Sequence, residues 1–237
     1  MKSELKDGIT TKEIYKMAFS LLRKSSRPSA ARYKLKKAIY ELGPSGFPFE
    51  KYIGAILTNE GFDTKVGVTV RGNCVNHEVS VVAQKDDKHF MIECKFHHRQ
   101  GINCNVKIPL YIQSRFLDVE QQWVKRKGHE IKFHQGWIFT NTRFTSDAIK
   151  FGNCVGLQLV GWNYPKNGSL NQRIDESGLH PLTCLTTITN SEKQKLLNNG
   201  SVLCMELCNQ PKLLKKVGIN ESRHKKILDE AHELCGL

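Results

Sequence analysis

The sequence has no long apolar segment and no recognisable secretion signal. Of its 237 residues, 39% are hydrophobic and 25% are charged, which is typical of a globular chain. Largely apolar stretches such as Val79 to Ala83, which contains Ser80, are far shorter than the roughly 20 residues that cross a bilayer. Residues 1–8 are polar, and no cleavage site of small residues follows an apolar stretch. We therefore expect a cytoplasmic protein with no membrane partner.

The sequence also lacks the short motifs of several common enzyme classes. It contains no Gly-x-x-x-x-Gly-Lys-[Ser/Thr] phosphate loop and no Gly-x-Ser-x-Gly nucleophile elbow. Among its eight cysteines, only Cys204 and Cys208 have a spacing typical of metal ligands. No second cysteine pair or His-x-x-x-His motif completes a zinc site, so we expect this pair to pack in the core and all eight cysteines to be reduced thiols.

Acidic residues are in the minority. The chain carries 36 basic and 23 acidic side chains, a formal net charge of +13. Over half of this excess lies in residues 1–42, which hold 11 basic and 4 acidic side chains. Such an excess favours a polyanionic partner, most commonly nucleic acid. A solvated, lysine-rich helix face is equally typical of the pattern, and both interpretations stay open.

The distribution of apolar residues, glycines and prolines predicts three segments. Residues 1–43 have helical periodicity, which Gly43 and Pro44 interrupt. Residues 44–165 predict the order α-β-β-β-α-β-α-β, a mixed α/β structure. After Pro165 only short helices are predicted, so residues 166–237 form a helical C-terminal segment.

A predicted β-hairpin carries an unusual set of polar side chains. The polar turn at residues 85–88 joins two strand-like segments, and a turn centred on its two aspartates fixes the register. Ser80 then lies opposite Glu93, and Glu78 lies opposite Lys95. Because side chains alternate along a strand, these four residues project from one face of the sheet.

This side-chain set is suited to hydrolysis of phosphodiester bonds. Carboxylates bind Mg²⁺ through hard oxygen ligands, and the lysine could orient an attacking water molecule. Glu50, on the preceding predicted helix, could add a further carboxylate. The alternative is an exposed hairpin face on which a glutamate and a lysine form an ordinary cross-strand pair.

Two stretches resemble a known nuclease core. Glu78-Val-Ser-Val-Val-Ala, followed by Met91-Ile-Glu-Cys-Lys-Phe, is similar to the PD-(D/E)xK nuclease superfamily and especially to its Mrr-like restriction endonuclease branch. The resemblance covers about residues 47–162. It implies an α/β, restriction-endonuclease-like mixed sheet flanked by helices, with helical N- and C-terminal extensions. The implied function is a Mg²⁺-dependent (or Mn²⁺-dependent) DNA endonuclease. The implied site residues are Glu78 and Glu93 as metal ligands, Lys95 as the residue that orients the nucleophile, and Glu50 and Gln113 as supporting residues.

The chain departs from this pattern at one position. The resemblance places the metal-binding aspartate of the second strand at Ser80, and serine is a poor Mg²⁺ ligand. Either Glu78, two residues away on the same face, replaces that aspartate, or cleavage is impaired. The alternative function is therefore a DNA-binding or regulatory protein that keeps the nuclease fold.

The terminal segments carry weaker resemblances. Residues 8–14 and 31–39 resemble the second half of an ATP-cone; the half that carries the nucleotide-binding motif is missing, so ATP is not expected as a ligand. Residues 196–234 resemble a helix-hairpin-helix module, around Leu214 and Gly218, although a plain helical cap fits the same pattern. A double-strand cut usually needs two active sites, which would make the protein a homodimer. The candidate DNA-contacting residues are Lys34, Lys36, Lys37, Arg99 and Arg115.

Overall fold

The chain folds into two compact units. The structure, a computed structural model, describes residues 8–25, 33–125 and 133–236. Unit 1 comprises Met1–Ile39 together with Gly178–Leu237, and unit 2 comprises Tyr40–Ser177. The two ends of the chain meet in unit 1, where the Thr183 hydroxyl donates a hydrogen bond to the Ala38 carbonyl (2.7 Å). Most of the two terminal segments, predicted separately as residues 1–43 and 166–237, thus falls into one unit, whereas residues 40–43 and 166–177 belong to unit 2. Within the described residues, no helix has both the length and the apolarity needed to cross a membrane.

Helices predominate in unit 1, and all the strands lie in unit 2 among the described residues. In chain order the elements are α1 (Thr11–Ser25), α2 (Leu35–Tyr40), α3 (Phe47–Asn59), β1 (Asp63–Arg71), β2 (Asn76–Lys85), β3 (Lys88–Lys95), β4 (Asn103–Cys104), α4 (Lys107–Val124), β5 (Phe133–Thr140), β6 (Arg143–Phe144), α5 (Ser146–Cys154), β7 (Gln158–Val160), α6 (Leu170–Ser177), α7 (Asn190–Asn198), α8 (Cys204–Asn209), α9 (Lys212–Lys216) and α10 (His224–Cys235). Short 3₁₀ turns precede α7 and α10.

Unit 2 is built on a mixed five-stranded sheet with the order β1-β2-β3-β5-β7. The pairs β1–β2 and β2–β3 are antiparallel, whereas β3–β5 and β5–β7 are parallel. Helix α3 packs on β1 and β2, and helix α4 packs on β5. This arrangement confirms the predicted mixed α/β class with helices flanking a sheet.

The predicted hairpin register is confirmed. Val81 pairs with Ile92, and Lys85 pairs with Lys88, which leaves a two-residue turn. Asp86, in that turn, has a φ of 51°, and aspartate is among the few residues that tolerate a positive φ in a tight hairpin. The ladder between β2 and β3 ends at the Val81–Ile92 pair.

Unit 1 differs from the predicted pattern at one helix. A single helix over residues 202–217 is predicted, but α8 and α9 are separate helices with Pro211 between them. Proline has no backbone N–H to continue a helix. Asn220 caps the 3₁₀ turn before α10, because its side chain accepts a hydrogen bond from the Ser222 amide (2.9 Å).

Candidate functional site

The predicted hairpin residues line a pocket of about 410 Å³ in unit 2. Helix α3 contributes Glu50, strands β2 and β3 contribute the hairpin carboxylates, and helix α4 closes one side with an aromatic ring and a guanidinium group. The residues that line the pocket are Glu50, Asn76, His77, Glu78, Ser80, Glu93, Tyr111 and Arg115. The structure therefore brings together three of the predicted site carboxylates.

Ser80 links three elements of the pocket. Its hydroxyl donates a hydrogen bond to Glu50 Oε1 on α3 (3.2 Å) and accepts one from the Cys94 amide on β3 (3.2 Å). The side chain is buried. Because a serine hydroxyl has a single proton, its donor capacity is fully used by Glu50.

Arg115 provides the positive charge of the pocket. Its Nη1 atom donates to Glu93 Oε2 (2.9 Å), and its Nη2 atom donates to the Glu78 carbonyl. The Arg115 side chain is only 10% exposed, and the Glu93 side chain is 20% exposed. The guanidinium also lies over the Tyr111 ring, 5.4 Å from its centroid.

The pKa values of two pocket carboxylates are raised, because burial outweighs the groups that stabilise their negative charge. Burial raises the pKa of Glu50, and repulsion from Glu93 and Glu78 raises it further, against the lowering effect of the Ser80 hydrogen bond. Burial also raises the pKa of Glu93, although the neighbouring Arg115 opposes that shift. Sites with raised carboxylate pKa values are common where proteins bind ligands or catalyse reactions.

Lys95 and Gln113 are not among the residues that line this pocket. The Lys95 ammonium group makes no hydrogen bond or ion pair with the described residues, while the Lys95 carbonyl accepts a hydrogen bond from Thr140 (2.7 Å). Its positive charge lowers the pKa of Glu93, which indicates that the two side chains are near each other. The Gln113 Oε1 atom is buried, and no described residue donates a hydrogen bond to it.

The five predicted DNA-contacting residues are divided between the two units. Lys34, Lys36 and Lys37 lie in unit 1, at the start of α2 and within it. Arg99, in unit 2, is exposed after β3. Arg115 is nine-tenths buried against Glu93.

The sequence does not reveal two features of this pocket. The pairing of Arg115 with Glu93 joins residues 22 positions apart, and no local pattern specifies it. Asp118 accepts hydrogen bonds from the Cys74 amide (2.7 Å) and from His77 Nε2 (2.7 Å), which fixes the connection between β1 and β2. These hydrogen bonds, that of His77 above all, lower the pKa of Asp118.

The pocket contains the kind of oxygen donors that bind Mg²⁺, but these donors are not grouped as a Mg²⁺ site requires. Three carboxylates supply the hard oxygens that Mg²⁺ prefers. Within residues 8–25, 33–125 and 133–236, however, no three His, Cys, Asp or Glu side chains are grouped so as to hold a metal ion. Glu93 is engaged by Arg115, and Glu50 is engaged by Ser80. The residues as arranged do not fit the ion.

Comparisons with known proteins place the chain in a family. A family model described as "AF1548-like, C-terminal" matches residues 180–235. An uncharacterized protein of Archaeoglobus fulgidus is 36% identical over 182 residues, covering 76% of this chain and 98% of that protein. The crystal structure of a protein of unknown function, AF1548, is similar with a TM-score of 0.67 and 34% identity, and the match covers 81% of this chain and 99% of that one. The chain therefore belongs to the AF1548-like family.

Proposed function

We propose that the protein binds DNA and that its unit 2 is a restriction-endonuclease-like fold that does not cleave DNA. A first helix that carries Glu50 (α3), a hairpin with Glu93 and Lys95 on its second strand, and a parallel continuation through β5 and β7 agree with the resemblance seen in the sequence. This agreement supports the fold assignment within the proposal.

The observation that carries the non-cleaving assignment is the hydrogen-bonding of Ser80. The nuclease resemblance requires a metal-binding aspartate at this position. Ser80 instead donates its proton to Glu50 and accepts the Cys94 amide, which fixes it as a neutral structural link. Without a carboxylate here, and with Glu93 paired with Arg115, the pocket lacks the group of available oxygen donors that a divalent cation needs.

The distribution of charge supports DNA as the partner. The residues of unit 1 carry 19 basic and 9 acidic side chains, a net charge of +10, whereas unit 2 carries 17 and 14, a net charge of +3. Electrostatic attraction to phosphates supplies most sequence-independent affinity for DNA. Unit 1 is therefore the proposed source of affinity for the DNA backbone.

One observation favours metal-dependent cleavage as a second candidate. The Lys95 ammonium makes no hydrogen bond or ion pair within the described residues, and Lys95 follows Glu93 by two positions on β3. An uncommitted lysine beside a carboxylate pocket is the residue that would orient an attacking water molecule. In this case Mg²⁺ or Mn²⁺ would be required, and Ser80 would limit the rate.

A plasmid assay distinguishes the two candidates. Supercoiled plasmid is incubated with the wild-type protein, Lys95→Ala and Ser80→Asp, each in EDTA, Mg²⁺ or Mn²⁺. We expect the wild type to bind without nicking the plasmid. Nicking by the wild type that Lys95→Ala abolishes would establish the second candidate, and a gain of nicking in Ser80→Asp would show that position 80 is what prevents cleavage.

Binding is measured separately as a function of salt. We expect replacement of Lys34, Lys36 and Lys37 by alanine to flatten the dependence of log affinity on log salt, by about 0.9 for each phosphate that the variant no longer neutralises. The matched control is the replacement of Lys65, Lys88 and Lys107 by alanine in unit 2. No binding by the wild type at low salt would contradict the DNA proposal itself.

A further inference from the structure

The guanidinium group of Arg115 lies between strands β2 and β3, where it binds one oxygen of each strand. We infer that its guanidinium occupies the position that a divalent cation would take between β2 and β3, so that the pocket does not bind Mg²⁺ or Mn²⁺. This inference deepens the proposed function, because it rests on unit 2 having a restriction-endonuclease-like fold that does not cleave. It also names the group that makes the pocket independent of metal.

The guanidinium uses the oxygens that a hard cation would use. The ladder between β2 and β3 ends at Val81 and Ile92, and the next residues line the pocket. At this opening, Arg115 donates to the Glu78 carbonyl on β2 and to the Glu93 carboxylate on β3. One carboxylate and one backbone carbonyl are typical ligands of hard divalent ions. The guanidinium and a metal ion would therefore compete for the same two oxygens.

The surroundings favour the guanidinium in that competition. Arginine is charged at every physiological pH, and its planar fork can donate to two acceptors at once. A metal ion that displaced Arg115 would leave a nine-tenths buried guanidinium without its acceptors, and an uncompensated buried charge is costly. The Tyr111 ring, 5.4 Å away, adds a cation–π contact that holds the group in place.

Thermal unfolding with and without Mn²⁺ tests this inference without any DNA. All three tryptophans, Trp123, Trp137 and Trp162, lie in unit 2, so intrinsic fluorescence follows the unfolding of that unit. We compare the wild type with Arg115→Met, which removes the charge and keeps much of the volume. Arg223→Met is the matched control, because Arg223 pairs with Glu192 in unit 1 and does not line the pocket.

We expect millimolar Mn²⁺ to leave the midpoints of the wild type and of Arg223→Met unchanged. Arg115→Met should unfold at a lower temperature in EDTA and recover about 3 °C in Mn²⁺, because the ion can then bind Glu93. An equal Mn²⁺ shift in the wild type would overturn the inference, and so would an Arg115→Met variant that does not respond to the ion.

A second measurement covers the case in which Arg115→Met does not fold. Electron paramagnetic resonance of free Mn²⁺ is recorded with the wild type and with Glu93→Gln. An unchanged Mn²⁺ signal with the wild type supports the inference. A signal that the wild type reduces and Glu93→Gln restores would overturn it. Failure of DNA binding would leave both measurements interpretable, since neither contains DNA.

Discussion

Unit 1 contains a buried carboxylate and unit 2 contains half-buried ones, and their environments differ. In unit 1, Glu230 is fully buried and accepts four hydrogen bonds, from the amide and hydroxyl groups of Thr186 and Thr187, at 2.6–2.9 Å. In unit 2, Glu50 accepts one hydrogen bond from the described residues, that of Ser80 at 3.2 Å, although burial raises its pKa. Glu230, with four hydrogen-bond donors, therefore stabilises the fold, whereas Glu50 has oxygen atoms that could still accept hydrogen bonds.

This difference belongs to the pocket rather than to unit 2 as a whole. Asp118, also in unit 2, accepts hydrogen bonds from two backbone amides and from His77, and its pKa is lowered. Among the carboxylates of the described residues, a raised pKa is found at Glu50 and Glu93, which both line the pocket. Proteins tolerate such uncompensated groups mainly where a ligand or a reaction uses them.

The largest effect is expected in unit 1. Replacing Glu230 by alanine leaves four buried donors without an acceptor and opens a cavity, and we expect a loss of about 3 kcal/mol or more in the free energy of unfolding. Because unit 1 has no tryptophan, the transition is followed by far-UV circular dichroism in urea.

Glu230→Gln is the control, since it keeps the volume but replaces one acceptor oxygen with an NH₂ donor. We expect it to lose less stability than Glu230→Ala. A loss below about 1 kcal/mol for Glu230→Ala would remove the contrast between the two units, because the four hydrogen bonds would then contribute little net stability.

The sequence predicts the strands and the register of the hairpin but not the charge balance of the pocket. Alternation of side chains and a two-residue turn fix which hairpin residues share a face, and this depends on local geometry alone. Arg115 reaches the hairpin from α4, and its position depends on how Ile112 and Phe116 pack in the core. Packing between distant segments leaves no local signature, so the ion pair with Glu93 could not be predicted.

The division of the chain into two units also depends on contacts between distant segments, so it could not be predicted from local patterns. The pattern of helices and strands indicates where segments begin and end, within a few residues. It does not indicate that the first and last segments share a unit, which depends on contacts such as that of Thr183 with Ala38. The four hydrogen bonds to Glu230 could not be predicted from the sequence either, because Thr186 and Thr187 lie more than 40 positions away from it.

A smaller effect is expected at Glu192, also in unit 1. Hydrogen bonds from Arg223 lower its pKa most, and a capping box with Thr189 at the start of α7 lowers it further. A lowered pKa in the folded state means that the ionised group stabilises the fold above its ordinary pKa. That stabilisation is lost as the pH falls through the lowered value.

We therefore expect Glu192→Gln to destabilise the protein by about 1 kcal/mol at neutral pH. The difference from the wild type should shrink on acidification, as followed by circular dichroism in urea at several pH values. A difference that stays constant with pH would show that the charge of Glu192 contributes nothing and that only its capping geometry matters.

The smallest effect, and the one of opposite sign, is expected at Glu50. Burial raises its pKa, so the folded state favours the protonated form, and ionisation costs stability as the pH rises through the raised value.

Glu50→Gln removes that cost and keeps an oxygen that can accept the hydrogen bond from the Ser80 hydroxyl. We expect a gain of up to about 1 kcal/mol at neutral pH, which disappears as the pH falls below the ordinary range for glutamate. Tryptophan fluorescence in urea measures it in unit 2. If Glu50→Gln instead lost stability at neutral pH and the loss vanished on acidification, the negative charge of Glu50 would stabilise the fold, as that of Glu192 does. The carboxylates of the pocket would then not differ from those of unit 1.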